Sequence, residues 1–236
     1  MAKFKNQAEL GNKDQGWADK IIVPSGDVPI QKLELELKCY NWRPSGLWKP
    51  GEGSIWGIIY HATGDCGTGP EQTALENLKW VLEENRTSVH FGIDRLGNIA
   101  QYLPIYRKAR HAEEADEHWI GIEHIQSIEC GHTRKQLTAS AQLSASIIKW
   151  VEEDLKDPDN PNDPESKGWG SIPIQHASNR PPHRGLADHR QGGWLWGNHM
   201  DGLTYGEFPV RDIFLNFKPD KTWKEFVHAV SLEMIS

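Results

Sequence analysis

Ser54-Ile-Trp-Gly-Ile-Ile-Tyr-His61 is a short apolar run that continues into His61-Ala-Thr-Gly64, where the glycine would break a strand. A run of this length between breakers suits a buried β-strand better than a helix. Side chains alternate along a strand, so Ile59 and His61 share one face and Ile58 and Tyr60 the other. Trp119-Ile-Gly-Ile-Glu-His-Ile125 reads the same way, with Trp119, Gly121, Glu123 and Ile125 on one face. Pro70 to Arg86 reads as a helix, with Pro70 in a first-turn position and Leu75, Leu78 and Leu82 at helical spacing. Ser88–Asp94 and Asn98–Leu103 form a hairpin around Arg95-Leu-Gly-Asn98. Leu137 to Leu155 is the clearest helix, with a stripe of Leu143, Ile147, Ile148 and Val151 and Thr138 as its N-cap. The order β, α, β-hairpin, β, α predicts an α/β fold with a mixed central β-sheet flanked by helices. Histidine and glutamate at strand ends would meet at one end of that sheet.

Outward from this core the signals weaken. Residues 1–30 are polar and broken by Gly11, Gly16, Pro24, Gly26 and Pro29, which predicts an arm without its own core. Lys32–Tyr40 alternates leucine with charge, a half-buried strand pattern, and residues 41–54 read as a loop. We therefore divide the chain into an N-terminal extension, residues 1–50, and a catalytic domain, residues 51–236. Asp157–Ser166 is an acidic, proline-broken surface loop. Ser171–Gln175 is a short edge strand, since Pro173 suits a central one poorly. Phe208–Phe217 and Thr222–Leu232 close the chain, the latter as a helix.

A chain of 236 residues with 37% hydrophobic side chains can bury a core. Net charge of -7 disfavours a general grip on nucleic acid. Cys39, Cys66 and Cys130 are odd in number and far apart, which argues against a disulfide framework or a thiolate zinc site. The N-terminus lacks an apolar h-region and no stretch approaches 18 apolar residues, so we expect synthesis in the cytoplasm and no membrane partner. A monomer is expected.

Gly185 to Gly202 (GLADHRQGGWLWGNHMDG) has little apolar periodicity and reads as a glycine- and tryptophan-rich loop carrying His189, His199 and Asp201. With His61 from a strand end, His189 and Asp201 would make an oxygen and nitrogen donor set suited to hydrolytic Zn2+. The plainer alternatives are a buried histidine bonded to a carbonyl for His61 and a turn carboxylate for Asp201. Trp194 and Trp196 either fill the core or stack on a sugar or peptide face.

Taken together, IIYHAT, SVHFGIDRLGNIAQYLP, RHAEEA, WIGIEHI, SIPI and GLADHRQG…NHMDG resemble the zinc-dependent N-acetylmuramoyl-L-alanine amidase family, which includes phage lysozyme-amidases, wall-recycling amidases and peptidoglycan recognition proteins. The resemblance runs from about Ile55 to about Phe217. It implies one zinc on His61, His189 and Asp201, with Glu123 as the acid/base carboxylate and His199 as the oxyanion partner. It also implies His90 and His111 beside the substrate. Trp194 and Trp196 are an insertion relative to the family, and from their place in the loop we expect them as further substrate contacts. Val89 stands where some members carry a catalytic tyrosine, which strengthens Glu123 as the base. Such a base should be buried, since burial raises a carboxyl pKa. Asp188 replaces the usual glycine, Gly202 the usual Pro-Gly, and His176 is a rival to His189 as ligand. The implied substrate is peptidoglycan or a muropeptide. A phage or prophage endolysin, a cytoplasmic recycling amidase and a non-catalytic recognition module all fit the pattern.

Overall fold

The strands cluster where the apolar runs are, and their pairing sets the position of every candidate residue. A computed structural model describes residues 9–10, 16–23, 26–36, 55–64, 74–105, 107–126, 132–153, 172–173, 184–189 and 221–235. In chain order the elements are β1 (Glu9–Leu10), β2 (Lys20–Ile22), β3 (Val28–Lys32), β4 (Gly57–Ala62), α1 (Ala74–Asn85), β5 (Phe91–Ile93), β6 (Ile99–Gln101), β7 (Trp119–His124), α2 (Arg134–Glu153), β8 (Gly185–Asp188) and α3 (Lys221–Ile235). A short 3-10 helix, Glu113–Glu117, leads into β7. The strands form one eight-stranded sheet in the order β1-β2-β3-β6-β5-β7-β4-β8. β5, β7, β4 and β8 run parallel, while β5 and β6 form the expected antiparallel hairpin. The sheet is therefore mixed, as the alternation of elements predicts.

Both faces of the central strands are buried, which explains why β4 is a continuous apolar run. Ile58 and Tyr60 of β4, Ile120 and Ile122 of β7 and Leu186 of β8 share a core with Leu143, Ile147, Ile148 and Val151 of α2 and with Phe226 and Val230 of α3. On the opposite face Leu75, Leu78 and Leu82 of α1 pack with Val89, Tyr102 and Ile125. Ile59, Trp119 and Ala187 meet Ala112 and Ala115 there as well. The period-2 assignment of faces in β4 and β7 agrees with this packing. At the hairpin, Asp94 Oδ1 accepts from the N–H of Leu96 (2.9 Å) and of Asn98 (2.8 Å), and Gly97 takes φ 87. That positive φ is the reason for the glycine.

The structure corrects four expectations. The N-terminal segment is not a bare arm: β1, β2 and β3 extend the sheet, β3 pairs parallel with β6, and Ile21 and Ile30 are buried in the shared core. Its few apolar residues are too sparse to show a period, yet two well-placed isoleucines are enough to dock it. Of the strand expected at Lys32–Tyr40, residues 37–40 lie outside the described residues, and the strand that is described there runs over Val28–Lys32. Beyond it, Leu33 and Leu35 donate their N–H groups to the carbonyls of Gln101 (2.9 Å) and Tyr102 (3.2 Å), with Leu35 buried and Glu34 and Glu36 exposed. Helix α2 starts before Thr138, because Thr133 Oγ1 accepts the Gln136 N–H (3.1 Å) and the Thr133 carbonyl accepts the Leu137 N–H (3.1 Å). Finally, Gly185–Asp188 is a strand, fully buried beside β4, where a loop was expected. Four residues cannot display a periodicity, so only the neighbouring strand reveals it.

Trp119 and Trp150 fill the core, Trp56 stacks on His118 with ring centroids 3.7 Å apart, and Trp80 is exposed. The expected features at 157–166 and 208–217 lie outside the described residues, as does most of 171–175. Among the described residues, no helix is long and apolar enough to cross a membrane.

Candidate active site

Strands β7, β4 and β8 are neighbours and parallel, so their C-terminal ends lie side by side. Register pairs His61 of β4 with Glu123 of β7. On the other side Tyr60 pairs with Asp188, and His189 follows by one residue. Glu123, His61 and His189 thus line up across one end of the sheet and border a cleft of about 560 Å³. The C-terminal end of parallel strands is a common location for ligands in α/β sheets. The cleft has one apolar wall, Leu78, Val81 and Leu82 of α1, and one polar wall that includes Arg110, His111 and Asp116.

The rings of His61 and His189 are 4.2 Å apart between centroids and tilted by 58°. Both side chains are nearly enclosed, at 3% and 2% exposure, whereas Glu123 is only partly buried. His61 Nε2 lies 2.8 Å from His111 Nδ1, and His111 Nε2 lies 3.0 Å from the Trp119 carbonyl. The pKa of His111 is held well below the usual imidazole range, chiefly by burial, then by the neighbouring His61 and His90; the bond to the Trp119 carbonyl opposes this.

His90 departs from expectation. It is fully buried beneath the cleft, donating its Nε2–H to the Arg107 carbonyl (2.6 Å) and accepting the Gly121 N–H at Nδ1 (3.0 Å). Burial pushes its pKa down to about 4, against a partial rise from the Arg107 bond. Both nitrogens meet backbone atoms, so His90 braces the site. Val89, one residue earlier, lines the cleft with an apolar side chain, in keeping with its lack of a tyrosine hydroxyl.

Two further residues matter that the sequence pattern did not single out. Asp116 Oδ1 accepts from the N–H groups of His111 (2.8 Å) and Ala112 (2.7 Å), pinning the loop that carries His111. His124 lies on the far side of β7, with Nδ1 3.1 Å from the His61 carbonyl and Nε2 3.0 Å from Ser140 Oγ. It ties the end of β4 to α2. Nothing in HAEEAD distinguishes Asp116 from the acidic residues beside it, and His124 reads as a routine inward position.

His61 and His189 offer two imidazole donors at one place, and neutral imidazole is a zinc ligand. Among the described residues, no group of three or more His, Cys, Asp or Glu forms a metal cluster. Asp201, His199, Trp194, Trp196 and the rival His176 lie outside the described residues. Two imidazoles at one place could serve as two of the ligands of a zinc ion, which would need at least one more donor. With Glu123 adjacent, the arrangement suits proton transfer to and from a water or a leaving group in the cleft.

The family described as N-acetylmuramoyl-L-alanine amidase matches residues 51–179. No curated protein matches the sequence. Among solved structures, the chain is similar to the endolysin N-acetylmuramoyl-L-alanine amidase LysCS from Clostridium intestinale URNW, at 17% identity over 78% of this chain and 91% of that one, with a TM-score of 0.42. The Staphylococcus aureus hydrolase AmiA, solved with its ligand, aligns at 10% identity over 88% of this chain and 84% of that one, with a TM-score of 0.47. The peptidoglycan recognition protein PGRP-SA of Apis mellifera aligns at 19% identity over 48% of this chain and 72% of that one, with a TM-score of 0.36. The family match covers more than half of the 236 residues, and on that ground the chain belongs to the N-acetylmuramoyl-L-alanine amidase family.

Proposed function

We propose that this chain hydrolyses the amide joining N-acetylmuramic acid to L-alanine in peptidoglycan, with zinc held by His61, His189 and Asp201. The observation that carries this reading is the row of Glu123, His61 and His189 across three adjacent strand ends at the cleft. Zinc, when bound in such a site, polarises a carbonyl and makes water nucleophilic near neutral pH. The protein's own groups handle the protons. Glu123 takes a proton from the attacking water as its oxygen adds to the lactyl carbonyl carbon, and returns a proton to the alanine nitrogen as the C–N bond breaks. His199 donates a hydrogen bond to the oxygen that gains charge. The apolar wall of α1 limits water around the reacting bond, and His111 lines the cleft beside the substrate. Trp194 and Trp196 are read from the sequence as further substrate contacts. The catalytic unit is residues 51–236, completed by the strands of the 1–50 extension.

The decisive experiment digests purified muropeptide and identifies the products by mass. Release of intact L-alanine-headed peptide, abolished by chelator and restored by zinc, is the expected result. Bound zinc without peptide release would instead favour a recognition module. Glu123→Ala should retain zinc and lose most turnover; near-normal turnover would remove Glu123 from the mechanism. We assign the biological role to an endolysin, tested by comparing lysis of intact sacculi with cleavage of small anhydro-muropeptides. Activity confined to the small substrates would point to recycling.

A further inference from the structure

His111 is tied at both ring nitrogens, and the direction of those bonds follows from chemistry. The Trp119 carbonyl can only accept, so the 3.0 Å contact makes His111 Nε2 the donor. In a neutral imidazole the lone pair then sits on Nδ1, and the 2.8 Å contact makes His61 Nε2 the donor to it. His61 is left with its proton on Nε2 and its lone pair on Nδ1. The placement of His111 is itself over-determined. Asp116 holds its backbone N–H at 2.8 Å, and the ring lies over Gly121. A Cβ at Gly121 would stand 2.9 Å from His111 Nδ1, 3.0 Å from Cγ and 3.1 Å from Cε1, so β7 makes room for this ring by carrying a glycine there.

We propose that His111 is a positioning residue for His61: the chain from the Trp119 carbonyl through His111 to His61 selects the His61 tautomer that presents Nδ1 for coordination. The consequence for metal binding rests on the reading of His61 as a ligand; the tautomer does not. A metal-bound histidine ordinarily has its second nitrogen fixed by such an outer partner, whose loss weakens metal binding by about 10–100-fold.

Long-range proton–nitrogen NMR of metal-free protein carrying labelled histidine reads the tautomers directly, and both His61 and His111 should be protonated on Nε2. His111→Asn keeps an acceptor near the position of Nδ1, and its zinc affinity should stay within about threefold of the parent, as expected when the outer partner survives. His111→Leu removes the acceptor at similar volume and should bind zinc about 10–100-fold more weakly. Gly121→Ala leaves every polar group in place but displaces the ring, and should weaken zinc binding in the same direction. Zinc affinity would be measured by competition with a chromophoric chelator. A His61 protonated on Nδ1 in the metal-free parent, or unchanged affinity in both His111→Leu and Gly121→Ala, overturns the proposal. A parent protein that takes up no zinc yet shows the Nε2–H tautomer would sink the metal reading while the His111–His61 bond stands.

Discussion

Gly57 offers the sharpest test of how the site is assembled. It lies in β4 opposite Trp119 on one side and Gly185 on the other. A Cβ built there falls well inside van der Waals contact with Cζ3 and Cε3 of Trp119 and with the Gly185 carbonyl oxygen. Neither neighbour can yield at low cost. Trp119 is buried and packed among Ile59, Ala112, Ala115 and Ala187. Gly185 belongs to the β4–β8 ladder, where its N–H donates to the Trp56 carbonyl at 3.0 Å. Overpacking a well-filled core typically costs 1–3 kcal/mol. Because a large ring and a ladder carbonyl must both shift, we expect Gly57→Ala to cost about 3 kcal/mol, at the top of that range. Urea unfolding should show this as a lower midpoint with an unchanged slope. Since β8 leads directly into His189, zinc affinity should fall as well. Gly64→Ala is the control: φ there is 75 but nothing lies within 4 Å of the new Cβ, so only backbone strain of about 1 kcal/mol is added. Destabilisation by Gly57→Ala of under about 1 kcal/mol, with zinc affinity intact, would refute this account of the packing.

Acid stability should depend on His90. Its folded pKa of about 4 lies below the ordinary 6.5, so the unfolded chain takes up a proton first as pH falls. Stability should therefore decline between about pH 6.5 and 4, by a ceiling of about 3 kcal/mol from this group. His90→Gln should flatten that slope in urea midpoints measured across the range, and parallel curves for the two proteins would contradict it. His189→Ala should abolish tight zinc binding while His176→Ala retains it; the opposite result, read by metal analysis, would move the ligand to His176. Thr133→Ala should lower stability by about 1 kcal/mol through loss of the α2 cap, whereas Thr138→Ala should leave the unfolding midpoint nearly unchanged.

Much of this protein is legible along the chain, because periodicity reports burial locally. The faces of Ser54–His61 and Trp119–Ile125, the leucine stripe of α1 and the Asp94–Asn98 turn each depend on residues a few positions apart. The placement of His61 and Glu123 at strand ends belongs to the same class of signal. The partners of those residues do not. That β8 lies beside β4 is decided by packing between segments more than a hundred residues apart, and its four residues are too few to declare themselves. The two histidines of the HF and RHA motifs look alike in sequence, yet one is fully buried with both nitrogens on backbone atoms and the other reaches the cleft. A histidine's role depends on which groups its nitrogens meet, and those groups arrive from distant strands. The sequence by itself determined the family pattern, the faces of the strands and the donor types on offer. Only the tertiary structure decided that His189 stands beside His61, that His90 is a brace, and that His111 holds the tautomer of its neighbour, because register and ring contacts are properties of the packed sheet.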